Sequence, residues 1–211
     1  MTGGIGSGKS TAAAVLLSEG IPVYDADSRA KALYTEAEGL VPALEKRLGR
    51  PLRNAGGQFQ KQWLAAELFG PDGQAAIAAV EDLLFPYLLK DFERFAGMAA
   101  QEKLRNGADP EKPVYVAMES ATALEKEAFR DFGDIRLVVD APYALRLERA
   151  CRRDGASREA VEGRMAQQPL MNRISGGERP EGIDAVVAND STPAELARKM
   201  EECLRKLNII D

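Results

Sequence analysis

The chain has 211 residues, 45% hydrophobic and 29% charged, with a formal net charge of −5. That length accommodates one α/β domain with a sizeable core, or such a domain carrying an insertion; the acidic balance argues against a general nucleic-acid binder, and without an 18-residue apolar run the chain does not read as membrane-spanning. It contains no histidine, and its two cysteines, Cys151 and Cys203, lie far apart, which excludes serine–histidine triads, histidine metal sites, a disulfide framework and a zinc spacing.

The N-terminus opens on a glycine-rich stretch instead of a basic and apolar leader, so a cytoplasmic protein is expected. Lys9 to Glu19 reads as a helix closed by Gly20, and Pro22 to Asp25 as a short strand. From Ser28 to about Asn106 the pattern is mainly helical, with breaks near Gly49-Arg50-Pro51, Asn54 to Gly57 and Gly70 to Gly73. Within it, Gln74 to Leu84 and Tyr87 to Leu104 carry helical spacing, and Pro86 is expected to kink or split them. Val114 to Met118 and Ile135 to Asp140 read as buried strands. Helices follow over Pro142 to Arg153 and Ser157 to Gln168, the latter with Ser157 as its N-cap, then a strand over Ile183 to Ala188 and a helix over Pro193 to Leu207 with Thr192 as its N-cap. Strands alternating with helices predict an α/β fold, a parallel sheet flanked by helices. The expected division is a nucleotide-binding core over 1–30, 107–145 and 176–211, a helical substrate-binding insertion over 31–106 and a helical lid over 146–175.

Gly3-Gly4-Ile5-Gly6-Ser7-Gly8-Lys9-Ser10 fits the phosphate-loop spacing G-x-x-x-x-G-K-[ST] without a mismatch. Glycines let successive backbone N–H groups turn inward on a polyphosphate, and the helix that follows adds the positive end of its dipole. The expected nucleotide contacts are Gly4, Ile5, Gly6, Ser7, Gly8, Lys9, Ser10 and Thr11, with Lys9 on the β- and γ-phosphates and Ser10 on Mg²⁺. Only Met1-Thr2 precede Gly3, where such a loop ordinarily follows a central strand. The sequence therefore predicts either a recorded start several residues too far downstream or a sheet without its central strand.

Asp25-Ala26-Asp27 closes the second strand, at the edge where ligands gather in open α/β sheets. Read as strand, the two carboxylates share a face and point toward the phosphates, one as general base and the other positioning metal or substrate. Read as helix entry, they are caps for the segment that follows. T-G-G-I-G-S-G-K-S-T followed by G-I-P-V-Y-D-A-D resembles the opening of dephospho-CoA kinases. That resemblance implies a P-loop kinase that transfers the γ-phosphate of ATP, with Mg²⁺, to the ribose 3′-hydroxyl of dephospho-CoA, with Asp27 as the base. Lys61-Gln62-Trp63-Leu64 through Leu68-Phe69 is similar to the family segment leading into its substrate-binding helices, with Lys61 where an arginine is usual. Leu84-Phe85-Pro86 resembles the family's L-H-P element, with Phe85 in place of the histidine. Arg149 to Asp154, Ala156 to Glu159, Arg164 and Gln168 resemble its lid, which implies that Arg149 and Arg153 meet ATP phosphates. Val187-Ala188-Asn189-Asp190 resembles the turn that borders the adenine, and so brings in Asn189.

Arg146, Arg149 and Arg153 stand at i, i+3 and i+7 on one helix stripe beside Arg152, with Arg158, Arg164 and Arg173 beyond. Such a cluster is either a clamp for a transferring phosphoryl group or a solvated face paired with Glu148, Glu159 and Glu162. Glu119, at the end of a strand, reads either as an acid acting on Mg²⁺ through water or as a loop carboxylate, and Asp140 competes for the same role. Trp63, Tyr87, Phe92 and Phe95 read as packing of the insertion in preference to an adenine box. The loop by itself also suits a kinase for another small metabolite, such as a nucleoside monophosphate or shikimate, or a nucleotide-dependent regulator. The guanine-reading N-K-x-D and a D-x-x-G switch are absent from the sequence.

Overall fold

The computed structural model describes residues 1–121 and 132–211; 122–131, inside the expected core segment 107–145, lie outside the described residues. The chain forms two compact units, Met1–Asp25 with Pro110–Asp211, and Ala26–Asp109.

The first unit is built on parallel strands. β1 (Val23–Asp25) pairs with β2 (Ala117–Glu119), and β3 (Leu137–Asp140) pairs with β4 (Ala185–Ala188). Met1 and Thr2 stitch the two pairs together. The Met1 nitrogen donates to the Met118 carbonyl (2.7 Å) and the Met1 carbonyl accepts from Ser120 (3.2 Å), while Thr2 donates to Leu137 (2.9 Å) and accepts from Val139 (2.8 Å). This alternation is that of parallel pairing, so residues 1 and 2 hold the central place between β2 and β3 that the sequence left in question.

Side chains alternate across β3. Leu137 and Val139 pack with Val187 against Ala12, Val15 and Leu16 of α1 (Lys9–Ser18) and with Leu196, Met200 and Leu204 of the C-terminal helix Pro193–Lys206. Val138 faces the other way, onto Met171 and Ile174 of helix Pro169–Ser175. A sheet covered on both faces needs the near-continuous apolar strands seen in the sequence. A third cluster joins Leu147 and Ala150 of helix Tyr143–Asp154 to Val161 and Met165 of helix Arg158–Ala166. Two helix starts follow their caps: Ser157 Oγ accepts from Ala160 N–H and Thr192 Oγ1 from Glu195 N–H. The expected helix to Gln168 instead stops at Ala166, because Pro169 disfavours helical backbone at Gln168 and opens a helix of its own.

The second unit is helical: α2 (Ala26–Glu36), α3 (Leu40–Leu48), α4 (Lys61–Leu68) and α5 (Gly73–Arg105). Tyr34 stacks on Phe59 with ring centroids 4.9 Å apart. The buried Asp91 of α5 accepts from Arg29 of α2 (2.8 Å) and from Arg94 (2.5 Å), so an ion pair ties α2 to α5. Pro86 does not split α5, which runs unbroken for 33 residues. The ring removes the bond to the Asp82 carbonyl, but both residues are exposed and water can satisfy that oxygen, while Leu84 and Leu88 stay buried on the opposite side. Trp63, expected as packing, keeps 39% of its surface exposed.

For reference below, α6 is Tyr143–Asp154, α7 Arg158–Ala166, α8 Pro169–Ser175 and α9 Pro193–Lys206.

Candidate active site

The glycine-rich segment leaves Thr2 at the carboxyl edge of the parallel strands and enters α1 directly, the position where open α/β sheets bind ligands. Gly6 and Gly8 adopt φ of +75° and +95°, which side-chain-bearing residues rarely take. Packing adds a second demand for glycine. A Cβ at Gly4 would lie 2.1 Å from Arg146 Nη2, one at Gly6 2.1 Å from the Arg146 carbonyl, and one at Gly8 2.1 Å from Asn189 Nδ2.

Three side chains hold alternate carbonyls of the loop. Lys9 Nζ donates to Gly3 O (2.9 Å), Arg146 Nε to Ile5 O (3.1 Å) and Asn189 Nδ2 to Ser7 O (2.8 Å). In a trans peptide the carbonyl and the following N–H point in opposite directions. Anchoring those oxygens therefore turns the N–H groups of Gly4, Gly6 and Gly8 to the opposite side of their peptides, an arrangement suited to an anion. The Ile5 N–H, by contrast, donates to Gln168 Oε1 (2.8 Å), and Gln168 Nε2 donates on to Ala121 O (3.0 Å). Ser7 is buried, whereas Ser10 and Thr11 stand exposed in the first turn of α1.

The arginine stripe divides. Arg146 is fully buried under the loop, and Arg149, half-buried, donates to the Asn189 carbonyl (3.0 Å). Arg149, Asn189 and the loop are thus brought together, with the Asn189 side chain on the loop backbone. Arg153 is exposed and pairs with Asp154 (2.7 Å), which also accepts from Arg164 (2.7 Å). These guanidinium groups, Arg153 first, hold the Asp154 carboxyl well below the usual carboxylate range. Arg152 pairs with Glu148, Arg158 with Glu162 and Arg173 with Glu178, the solvated-face arrangement.

Among the strand-end carboxylates, Asp140 Oδ1 accepts from Ser175 Oγ (2.5 Å), and Glu119 stands opposite Asp25 in the β1–β2 register. Asp25 ends β1, but Asp27 lies in the first turn of α2, both exposed on either side of the buried Ala26. The expectation that both share a strand face is therefore corrected. The helix begins at Ala26, where the positive end of its dipole favours a carboxylate such as Asp27.

Sequence reasoning missed the anchoring role of Arg146 and the parts played by Ser175 and Gln168. One signal for Arg146 was available: it shares the buried helical face of Leu147 and Ala150, at i, i+1 and i+4, where a cation is out of place.

The family model described as CoaE: Dephospho-CoA kinase matches residues 1–195. A dephospho-CoA kinase of Porphyromonas gingivalis is 36% identical over 189 residues, covering 90% of this chain and 84% of that protein. One of Chlorobaculum tepidum is 32% identical over 211 residues, covering 98% and 93%. A crystal structure from Thermus thermophilus superposes with a TM-score of 0.69 at 28% identity, covering 98% of this chain and 95% of that one. The dephospho-CoA kinase of Campylobacter jejuni, at a TM-score of 0.52 and 19% identity over 98% and 94%, shares the fold. A phosphate loop with its glycines packed to contact, set at the edge of a parallel sheet, agrees with these matches, and the chain belongs to the dephospho-CoA kinase family.

Proposed function

We propose that this kinase transfers the γ-phosphate of ATP to the ribose 3′-hydroxyl of dephospho-CoA, the last step of coenzyme A biosynthesis. The observation that carries the reading is the loop whose Gly3, Ile5 and Ser7 carbonyls are anchored so that the intervening amides face away from the anchors. Such an amide array, fixed before the ligand arrives, stabilises phosphate charge without reorganising during the reaction.

Lys9, now on the Gly3 carbonyl, moves to the β- and γ-phosphate oxygens when ATP binds. Arg149 and Arg153 neutralise charge on the transferring group, and for Arg153 this requires leaving Asp154. Asp27 accepts the proton of the attacking hydroxyl, a role taken from its place in the family's D-A-D element. Residues 31–106, within the helical unit, are the proposed acceptor-binding part, and 146–175, within α6 to α8, the lid. The exposed Ser10 hydroxyl is a hard oxygen donor, and no group of three or more His, Cys, Asp or Glu side chains gathers as a metal cage among the described residues. This fits Mg²⁺, which takes few protein ligands beside phosphate oxygens and water. The ion would supply charge neutralisation between the phosphates. Among the described residues no helix is long and apolar enough to cross a membrane, and Cys151 and Cys203 are free thiols, in keeping with a reducing cytoplasmic setting.

A coupled assay with ATP and dephospho-CoA, run beside nucleoside monophosphates and shikimate, tests the assignment. Turnover confined to dephospho-CoA is expected; preferred turnover of another acceptor would overturn it.

A further inference from the structure

Arg146 is the largest fully buried side chain among the described residues, at 0% exposure. Its guanidinium is spread over several parts of the fold. Nε donates to Ile5 O (3.1 Å), and Nη1 donates to Ser175 Oγ (2.6 Å), which passes its own hydrogen to Asp140 Oδ1 (2.5 Å). Nη2 has no hydrogen-bond partner among the described residues and lies against Gly4, where only a missing Cβ leaves room for it. Burial pushes this guanidinium below its usual pKa, with the Asp140 charge opposing.

A buried cation with one donor unsatisfied is an expensive way to fill a core, and apolar side chains of similar volume often serve stability as well or better. Arg146 does something an apolar residue cannot. By holding the Ile5 carbonyl it sets the plane of the Ile5–Gly6 peptide, and the Gly6 N–H must then face the other side. A charge-assisted bond to the carbonyl also polarises that peptide, making its N–H a stronger donor. Ser175 and Asp140 fix the guanidinium in turn, from the end of α8 and the end of β3.

We propose that Arg146 is a positioning residue for phosphoryl transfer, orienting the Gly6 amide toward the ATP phosphates through the Ile5 carbonyl while Ser175 and Asp140 hold its guanidinium. The proposal rests on the reading of the loop as the ATP site. It implies that nucleotide affinity depends on a side chain that touches no phosphate.

The test uses the full chain with Arg146→Met, Arg146→Lys, Ser175→Ala and Lys9→Ala as the direct-contact control. Dissociation constants for ADP and ATP are read by titration calorimetry, KM for each substrate by steady-state kinetics, and melting temperature by calorimetry. Arg146→Met is expected to weaken nucleotide binding about tenfold or more while KM for dephospho-CoA stays within about twofold; Arg146→Lys should recover part of the loss, and Ser175→Ala should lose about three- to tenfold. A folded Arg146→Met enzyme that binds ADP and ATP like the parent, beside a Lys9→Ala enzyme that does not, overturns the proposal and leaves the loop assignment standing. Unchanged affinity in both removes the loop assignment as well. If Arg146→Met does not fold, undiminished affinity in Ser175→Ala overturns the proposal by itself.

Discussion

Asn189 Nδ2 donates to the carbonyl oxygen of Ser7 over 2.8 Å, a buried bond between residues 182 positions apart. It joins the end of β4 to the middle of the phosphate loop, and the Asn189 carbonyl carries the bond from Arg149. Asn189→Ala is expected to raise KM for ATP roughly tenfold, since a buried acceptor left unpaired costs about 1–3 kcal/mol. Asn189→Asp should be worse, because a carboxylate would face both the carbonyl and the phosphates. Steady-state kinetics with ATP varied decides; an unchanged KM in Asn189→Ala makes the bond dispensable.

Gly8→Ala meets two obstacles at once, φ of +95° and an Asn189 nitrogen 2.1 Å from the new Cβ. The left-handed backbone alone costs about 1–2 kcal/mol. We expect a lowered melting temperature and loss of detectable nucleotide binding by calorimetry. Retention of parental ADP affinity would falsify the packing argument at this glycine.

Asp27→Asn keeps shape and removes the proposed base. It should lower kcat by roughly 10²–10⁴ while ATP affinity stays near the parental value. Single-turnover measurements at saturating substrates are the check, and full turnover in the variant takes the proton-acceptor role away from Asp27.

Pro86 interrupts no part of α5 yet withholds one backbone bond from it. Restoring an N–H on the exposed side with Pro86→Ala should raise unfolding free energy by about 1–3 kcal/mol in urea titrations. A destabilised variant would mean that the ring itself is needed there.

The Glu45 carboxyl is held below its ordinary value of 4.5, first by the Arg53 guanidinium and then by the Leu52 N–H. A carboxyl depressed by folding stabilises the protein above its unfolded pKa, and that contribution is lost as pH falls through the folded value. Glu45→Gln should therefore cost about 1 kcal/mol at pH 7, with the gap to the parent narrowing below pH 4. Urea midpoints across that range measure it; a gap that does not depend on pH contradicts the charge-based account.

What was legible in the chain alone depended on distance along it. The phosphate loop declares itself because its glycine demand is local: the positive φ of Gly6 and Gly8 arises within a few bonds of each residue. Ser157 and Thr192 announce helix starts for the same reason, each capping an amide three residues on. Pro86 does not split the helix because tertiary burial of Leu84 and Leu88 outweighs a local penalty. The D-A-D spacing looked strand-like, but β1 pairs only as far as Asp25 and the helix takes over at once. Periodicity put Arg146, Arg149 and Arg153 on one stripe, yet only contacts from distant elements separate the inward Arg146 and Arg149 from Arg153 at the surface.

The anchors at Ile5 and Ser7 come from residues 141 and 182 positions downstream, and the Ile5 amide is occupied from 163 positions away. Residues 3–10 are synthesised before the side chains that shape them and are consequently among the last to acquire their working shape, with the long loop closures that slow folding. On the proposed reading of the loop as the ATP site, a nascent chain halted short of Asn189 would carry the complete glycine motif without the bonds that shape it, so competence to bind ATP would double as a report that the carboxyl-terminal half has docked.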